Sequence, residues 1–584
     1  MVARVSRVST EMARFVVRPR LCLVLLALAG AVNEAVATDW PRFRGLDLSG
    51  ASPDSILQSW PTNGLPIAWK VSAPGGYSSL AVTDGKVFTL RNTTNECCVA
   101  LDAASGTQLW ATALGPPVAY STPTVKNDRV YAYSGTMKLS CLDAINGGIL
   151  WQRDLTNEFG ARRADYPNSQ SPWVEEGRVF VSILAATNCL LAFDATNGAL
   201  LWGGHTNALT HGSPVGATIH GTRQTIFPDP WGLVSVAPED GRLLWRKARG
   251  YSPGRHGPSP FVSDDIVVCV KSDGSGGEAF RVLETNGVFS TLTLWTNARL
   301  SGTYVTVVTH EGYLYGVFDN ALQCLALASG QVKWRTNSYD SPSVILVDNQ
   351  LLLLDQYDGA LTLARASPLR YERLAQCTVP DGEYLNSPAF SNGRIYVRCP
   401  SQMVCLDAAP PAPLEIQAAP VPGGTRLRLT VCCKDGRPIA TNRAPNIYVR
   451  WSPTLDLPLG QWPVWNGALA YANGVLYGEA PLLRNEPARF FITVEATTSP
   501  PLEISAAPLP GGTQLRVTVR CIDGSPIRTD RSPRIHVSWS PNLRTPPGQW
   551  SVWPGTLIYA NGALYGDGPL LRNAPARYFI AVEE

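Results

Sequence analysis

One pattern, an aspartate, then a glycine, then a tryptophan, returns along the chain and dictates most of what it can fold into. "ALDAASGTQLW" ends at Trp110, "CLDAINGGILW" at Trp151 and "AFDATNGALLW" at Trp202. "SVAPEDGRLLW" ends at Trp245 and "CLALASGQVKW" at Trp334, with looser copies ending at Trp295 and Tyr371. The intervals between these aromatic ends are 41, 51, 43, 50, 39 and 37 residues. A repeat of roughly 40–45 residues is that of a four-stranded propeller blade. Between the motifs, stretches such as "SPWVEEGRVFVSI" and "SPAFSNGRIYVR" place short alternating apolar runs around Gly, Asn or Asp turns, which predicts hairpins.

One copy is split between distant segments. Residues 387–409 supply three strands without the closing Trp strand, and residues 65–71 supply that strand with Trp69 and nothing before it. Pairing them removes a free sheet edge. With Trp69 the aromatic ends number eight, so the expectation for residues 65–409 is an eight-bladed β-propeller closed by its terminal strands. The motif has structural work to do: the Gly permits a tight hairpin, the Asp bonds turn amides, and the Trp packs between blades.

Beyond it, residues 413–436 match 501–524 at an offset of 88, and Trp451/Trp539, Trp465/Trp553 and Tyr477/Tyr565 keep that offset. Alternating runs between Gly, Pro and Asn turns predict two tandem β-sandwiches, 413–496 and 501–584. Trp462, Trp465, Trp550 and Trp553 are expected in their cores. The chain as a whole is therefore expected to be all-β.

The N-terminus is expected to direct export. Arg4, Arg7, Arg14, Arg18 and Arg20 precede "LCLVLLALAGAV", an apolar run too short to span a bilayer. Ala35-Val36-Ala37 then offers a cleavage site, giving a signal peptide over 1–37 and an extension over 38–64. Cleavage takes five arginines and two glutamates from 49 basic and 46 acidic residues, leaving 44 of each. A neutral chain without basic runs argues against nucleic acid and against electrostatic membrane contact. A monomer of the periplasm or cell surface, without a membrane span after cleavage, is expected.

The repeated Ala/Cys-Leu-Asp-x-x-x-Gly-x-x-x-Trp resembles the pyrroloquinoline-quinone-like repeat family over residues 39–409, and "DWPRFRG" (39–45) resembles the start of large exported bacterial propellers. That family includes quinoprotein dehydrogenases. It also includes cofactor-free binding proteins such as the lipoprotein of the outer-membrane β-barrel assembly machine. Fold alone does not choose between them. The dehydrogenase resemblance implies a catalytic Asp, a calcium ion, a Trp floor and a bonded pair of adjacent cysteines, and that constellation has no counterpart in this sequence. Cys97-Cys98 falls on a predicted strand, where successive side chains face opposite ways and cannot bond to each other.

The segments entering each inner strand carry Tyr77, Tyr120, Tyr166, His211, His256, Tyr304, Tyr339 and Tyr384, so every blade is expected to bring a Tyr or His to one rim of the channel. Such a rim suits a protein or a glycan, because the ring faces are apolar and the edges polar. "KSDGSGGEAF" (271–280) lacks the spacing of a calcium loop, and no nucleophile-base set stands out. The expected function is a cofactor-free binding scaffold. The alternative is a dehydrogenase using pyrroloquinoline quinone and calcium; a carbohydrate-active enzyme with carboxylates in the channel is a third.

Overall fold

The computed structural model describes residues 13–15 and most of residues 39–583. The stretches it leaves undescribed include 163–166, 207–210, 249–257, 303–305 and 340–342, and, further on, 453–463, 482–488, 522–534 and 541–550. The chain divides into two compact units, one over Asn33–Pro410 and one holding Pro411–Glu584. Both are all-β; the described helical elements are the single turns Leu155–Phe159 and Ala444–Asn446.

In the first unit, residues 67–407 form eight antiparallel four-stranded sheets, one of them extended by a short fifth strand, in the arrangement of a β-propeller. Sheet 1 is Ala81–Thr83, Lys86–Asn92, Glu96–Asp102 and Gln108–Gly115; sheets 2 to 7 follow in chain order with the same simple up-and-down connection. Sheet 8 joins Ala389–Ser391, Arg394–Arg398 and Gln402–Asp407 to the much earlier strand Ile67–Ser72, with Trp69 opposite Cys405. This is the split copy expected from the sequence.

The motif explains how each sheet meets the next. The aspartate bonds two amides of its own turn: Asp143 Oδ1 accepts from Ile145 N at 2.8 Å and Asn146 N at 3.0 Å. The glycine then takes a left-handed φ of +75° at Gly147, the conformation glycine adopts without penalty. A Cβ there would lie 2.6 Å from the Trp110 ring, so the tryptophan of one sheet lies flat against the glycine of the next. Its indole N–H donates to a carbonyl of that turn, as in Trp110 to Ala144 O (3.2 Å), Trp151 to Ala195 O (3.1 Å) and Trp202 to Pro238 O (3.0 Å). Trp69 makes the same bond to Ala103 O (3.0 Å), joining sheet 8 to sheet 1. Trp245 differs. Sheet 5 has a long hairpin, Gly277–Thr285 to Val288–Asn297, in place of the motif turn, and the Trp245 indole bonds Gln224 Oε1 of its own sheet and meets Phe280 edge-on.

Sheet 8 is pinned to sheet 1 by a buried arginine as well. The Arg398 guanidinium donates to Ser78 O (3.0 Å), Thr89 Oγ1 (2.7 Å), Gly75 O (2.7 Å) and Leu90 O. Arg398 is essentially inaccessible, and burial lowers its pKa to about 9, with the nearby Arg91 charge adding to the shift.

In the second unit, the first repeat carries the sheet Leu414–Pro420, Arg426–Cys433, Val475–Pro481 and Ala470–Ala472, and the second repeat carries its counterpart from Leu502–Pro508 onward. The first repeat's core draws on both that sheet and the strand pair Ile447–Ser452 and Arg489–Glu495, and includes Trp465. Trp462, Trp550 and Trp553 lie outside the described residues.

Candidate functional site

Antiparallel order fixes which loops share a face. Each inner strand starts at one end of the channel, so the connection into it and the turn between second and third strands lie at that end. The motif hairpins lie at the other.

The Ser-Pro pairs before the inner strands organise the first end, the rim. Ser79 N donates to Thr122 Oγ1 (3.0 Å), Thr122 N to Ser171 Oγ (3.1 Å), Ser171 N to Ser213 Oγ (2.9 Å) and Ser213 N to Ser259 Oγ (2.9 Å). A proline after the hydroxyl removes a donor that would otherwise be buried. This relay links the starts of five consecutive sheets and makes the rim a rigid platform.

The expected rim residues divide on this platform. Tyr77 and Tyr120 come together, half-buried, with ring centroids 5.1 Å apart and planes tilted by 50°. His211 is also half-buried, and its carbonyl accepts from Ser169 Oγ (3.3 Å). Tyr339 stands apart, in an open polar depression on sheet 7 with Asp355, Tyr357, Asp358, Tyr371 and Arg373. Tyr384 departs from the expectation: it is 1% exposed and packs in the core beside Gly359, where an added Cβ would lie 3.2 Å from its ring. It offers no face to a ligand. Tyr166, His256 and Tyr304 lie outside the described residues.

Two aromatic side chains not singled out from the sequence are the exposed ones on this face among the described residues. Trp231, 47% exposed, sits on the second-to-third turn of sheet 4, whose backbone is held by Asp229 Oδ1 accepting from Trp231 N (2.8 Å); Asp229 is in turn buried against Arg246. Tyr357, 66% exposed, takes the equivalent turn of sheet 7, held by Asp355. Their turn position was the available signal, since second-to-third turns share the rim with the inner-strand starts.

Glu96 is the unusual titratable group at this end. It is fully buried, one oxygen accepts from Gly135 N (3.4 Å), and the other has no partner. Burial raises its pKa from 4.5 to about 7, against hydrogen bonds from Ser134 and Gly135 that lower it. Because the folded state holds this proton more tightly, its contribution is fully present below about pH 4.5 and is lost as pH rises through about 7. We expect Glu96→Gln to be more stable than the parent by about 3 kcal/mol at pH 8, with the gap closing toward pH 4.5. Urea midpoints across that range test this; a gap independent of pH would contradict it.

The adjacent cysteines are not bonded to each other. Cys97 and Cys98 lie within the strand Glu96–Asp102, opposite Arg91 and Leu90, as buried free thiols, and burial pushes the Cys98 thiol well up. Among the described residues no group of three or more His, Cys, Asp or Glu is placed to share a metal ion, and no helix is long and apolar enough to cross a membrane.

Residues 94–336 match the profile of the family described as "Outer membrane protein assembly factor BamB". The assembly factor of that name from Moranella endobia is 25% identical over 259 residues, which cover 41% of this chain and 63% of that protein. The one from Yersinia pestis is 23% identical over 307 residues, covering 48% and 75%. Among solved structures, quinohemoprotein alcohol dehydrogenase from Comamonas testosteroni aligns at TM-score 0.46 and 13% identity, covering 66% of this chain and 83% of that one. BamB from Moraxella catarrhalis aligns at 0.42 and 12%, covering 59% and 99%.

Proposed function

We propose that this chain, whose propeller is of the pyrroloquinoline-quinone-like type and resembles the outer-membrane assembly factor, is a non-catalytic scaffold that binds a protein at its rim. The family match over residues 94–336 carries this reading. The rim supplies a means: the Tyr77–Tyr120 pair and Trp231 are amphipathic anchors on a platform stiffened by the hydroxyl relay, and Tyr357 is a further anchor on sheet 7. A protein partner is favoured over a glycan, because the relatives are assembly factors by name.

We further infer that the eight sheets are eight blades of one closed ring spanning 65–409, preceded by an extension over 38–64. Residues 413–496 and 501–584 are read as two β-sandwiches that extend the scaffold or attach it to a surface. The mature protein acts, as a monomer, in the periplasm or at the cell surface once residues 1–37 are removed, and without a cofactor.

The test is capture of a partner from envelope extract by the immobilised protein. We expect Tyr120→Ala with Trp231→Ala to weaken that binding at least about tenfold, roughly 1.4 kcal/mol or more, with an unchanged melting temperature. Unchanged binding would remove the rim from the account. The dehydrogenase reading is tested separately by a thermal melt with pyrroloquinoline quinone and calcium together. A ligand of the native state raises the melting point, so the scaffold reading expects no shift at saturating quinone, whereas a saturable shift would favour the dehydrogenase.

A further inference from the structure

The end of the channel opposite the rim is occupied by the chain itself. Residues 39–57 run along it and bond in turn to the inner strands of sheets 1, 2, 3, 6 and 7 and to sheet 8. At sheet 1, Trp40 forms a two-way bridge with Val82 (2.7 Å each way) and Asp39 accepts from Thr83 Oγ1 (2.6 Å). At sheet 2, Val125 N donates to Pro41 O (2.8 Å). At sheet 3, Arg42 donates to Val174 O (3.4 Å) and lies 4.4 Å over the Trp173 ring. Leu48 packs into the apolar cluster shared by sheets 3 to 5. At sheet 6, Arg44 donates to Val307 O. At sheet 7, Ala51–Ser52 adds a parallel strand, with Leu346 N donating to Gly50 O (2.8 Å) and Asp348 N to Ser52 O (3.1 Å). At sheet 8, Asn392 N donates to Asp54 Oδ2 (2.9 Å) and Leu57 N to Ala408 O (2.8 Å).

The segment is built for this place. Trp40, Arg42 and Arg44 are all nearly inaccessible, and both arginines are held to a pKa of about 10, chiefly by burial. Two guanidinium groups are costly to bury, and here they reach backbone carbonyls on opposite sides of the ring. Arg44, Gly45, Leu48 and Gly50 all take positive φ, so the chain folds tightly on itself between Arg44 and the strand Ala51–Ser52. A conformation of that kind persists only where the surroundings over-determine it.

We propose that residues 39–57 are an internal clasp: they seal the motif-hairpin end of the channel, leave the rim as its one open end, and hold the ring shut by tying its first sheets to its last. Arg42 and Arg44 are its pins. The channel is then blind, and anything that enters it does so past Tyr77 and Tyr120. The clasp stands whether or not the rim binds a protein.

The test uses the full chain, folded first and cut afterwards. A protease recognition site is inserted at the exposed Gln58–Ser59 position, and the folded protein is cleaved there. We expect the fragment ending at residue 58 to stay with the ring through gel filtration in native buffer and to leave only in denaturant. Release on cleavage would overturn the proposal. With Arg42→Met and Arg44→Met in the same protein, the fragment should leave at least a hundredfold faster; equal retention would deny the arginines their role as pins. Amide exchange on uncut protein gives a second readout: Val125, Leu346 and Asp348 should lose protection in the double variant while mid-sheet amides of Arg178–Ser182 keep theirs. Unprotected Leu346 and Asp348 in the parent protein would overturn the clasp without bearing on partner binding at the rim.

Discussion

Arg398→Met lowers the stability of the propeller by about 4 kcal/mol, the largest effect expected of any single substitution outside the tryptophans. The side chain is buried at the junction between the last sheet and the first, and it satisfies three carbonyls and one hydroxyl there. Methionine fills much of the volume and donates nothing, so all four acceptors lose a charged donor where water does not reach, although Ser78 O keeps its bond from Asn386 Nδ2 (3.1 Å). The loss falls on ring closure, which then rests on the Trp69 and Arg394 bonds to Ala103 O (3.0 and 2.9 Å). Arg365→Met is the control: Arg365 pairs with Glu372 at the surface, and its loss should cost less than about 0.5 kcal/mol. Urea unfolding followed by tryptophan fluorescence measures both. If Arg398→Met unfolds at the parent's midpoint, closure does not depend on this arginine.

Gly147→Ala costs about 3 kcal/mol, while Gly85→Ala costs about 1 kcal/mol. The two glycines have nearly the same backbone, with φ of +75° and +69°. Any difference between the variants is therefore not conformational strain, which both share. It is packing: a methyl at Gly147 meets the Trp110 ring at 2.6 Å, and one at Gly85 meets nothing within 4 Å. The tryptophan is held in place, because its indole is tied to Ala144 O and its ring meets Phe88, with centroids 6.0 Å apart. Equal losses at the two positions would mean that the motif glycine serves its hairpin alone and not the contact between sheets.

That contact also shows how far the sequence could be read. The repeat of Asp, Gly and Trp was visible, and so was the split copy that pairs Ile67–Ser72 with Gln402–Asp407, because both are local patterns. The glycine's second role was not visible, since it depends on a tryptophan about forty residues earlier in a different sheet. A second aromatic series was open to view and passed over. "RVYAY", "RVFVS" and "RIYVR" place Tyr131, Phe180 and Tyr396 at the third position of each second strand, where they meet Trp151, Trp202 and Trp69 at about 6 Å.

The buried arginines were harder. Arg42, Arg44 and Arg398 bond backbone carbonyls of distant strands, and no charge pattern announces a carbonyl. At the rim, the rule of one Tyr or His per inner-strand start found the Tyr77–Tyr120 pair, but it could not distinguish Tyr384, which turns into the core against Gly359. Trp231 and Tyr357 escaped the rule because they sit on the other set of turns at the same end.

Site-specific photo-crosslinking in the living cell tests most directly whether the rim binds a protein. A photoreactive residue is placed at position 120 or 231 on the rim, or at position 145, an exposed site on the opposite hairpins. A discrete higher-mass adduct, identified by mass spectrometry as another protein, is expected from positions 120 and 231 and none from 145. No adduct from the rim, or the same adduct from all three positions, would contradict it.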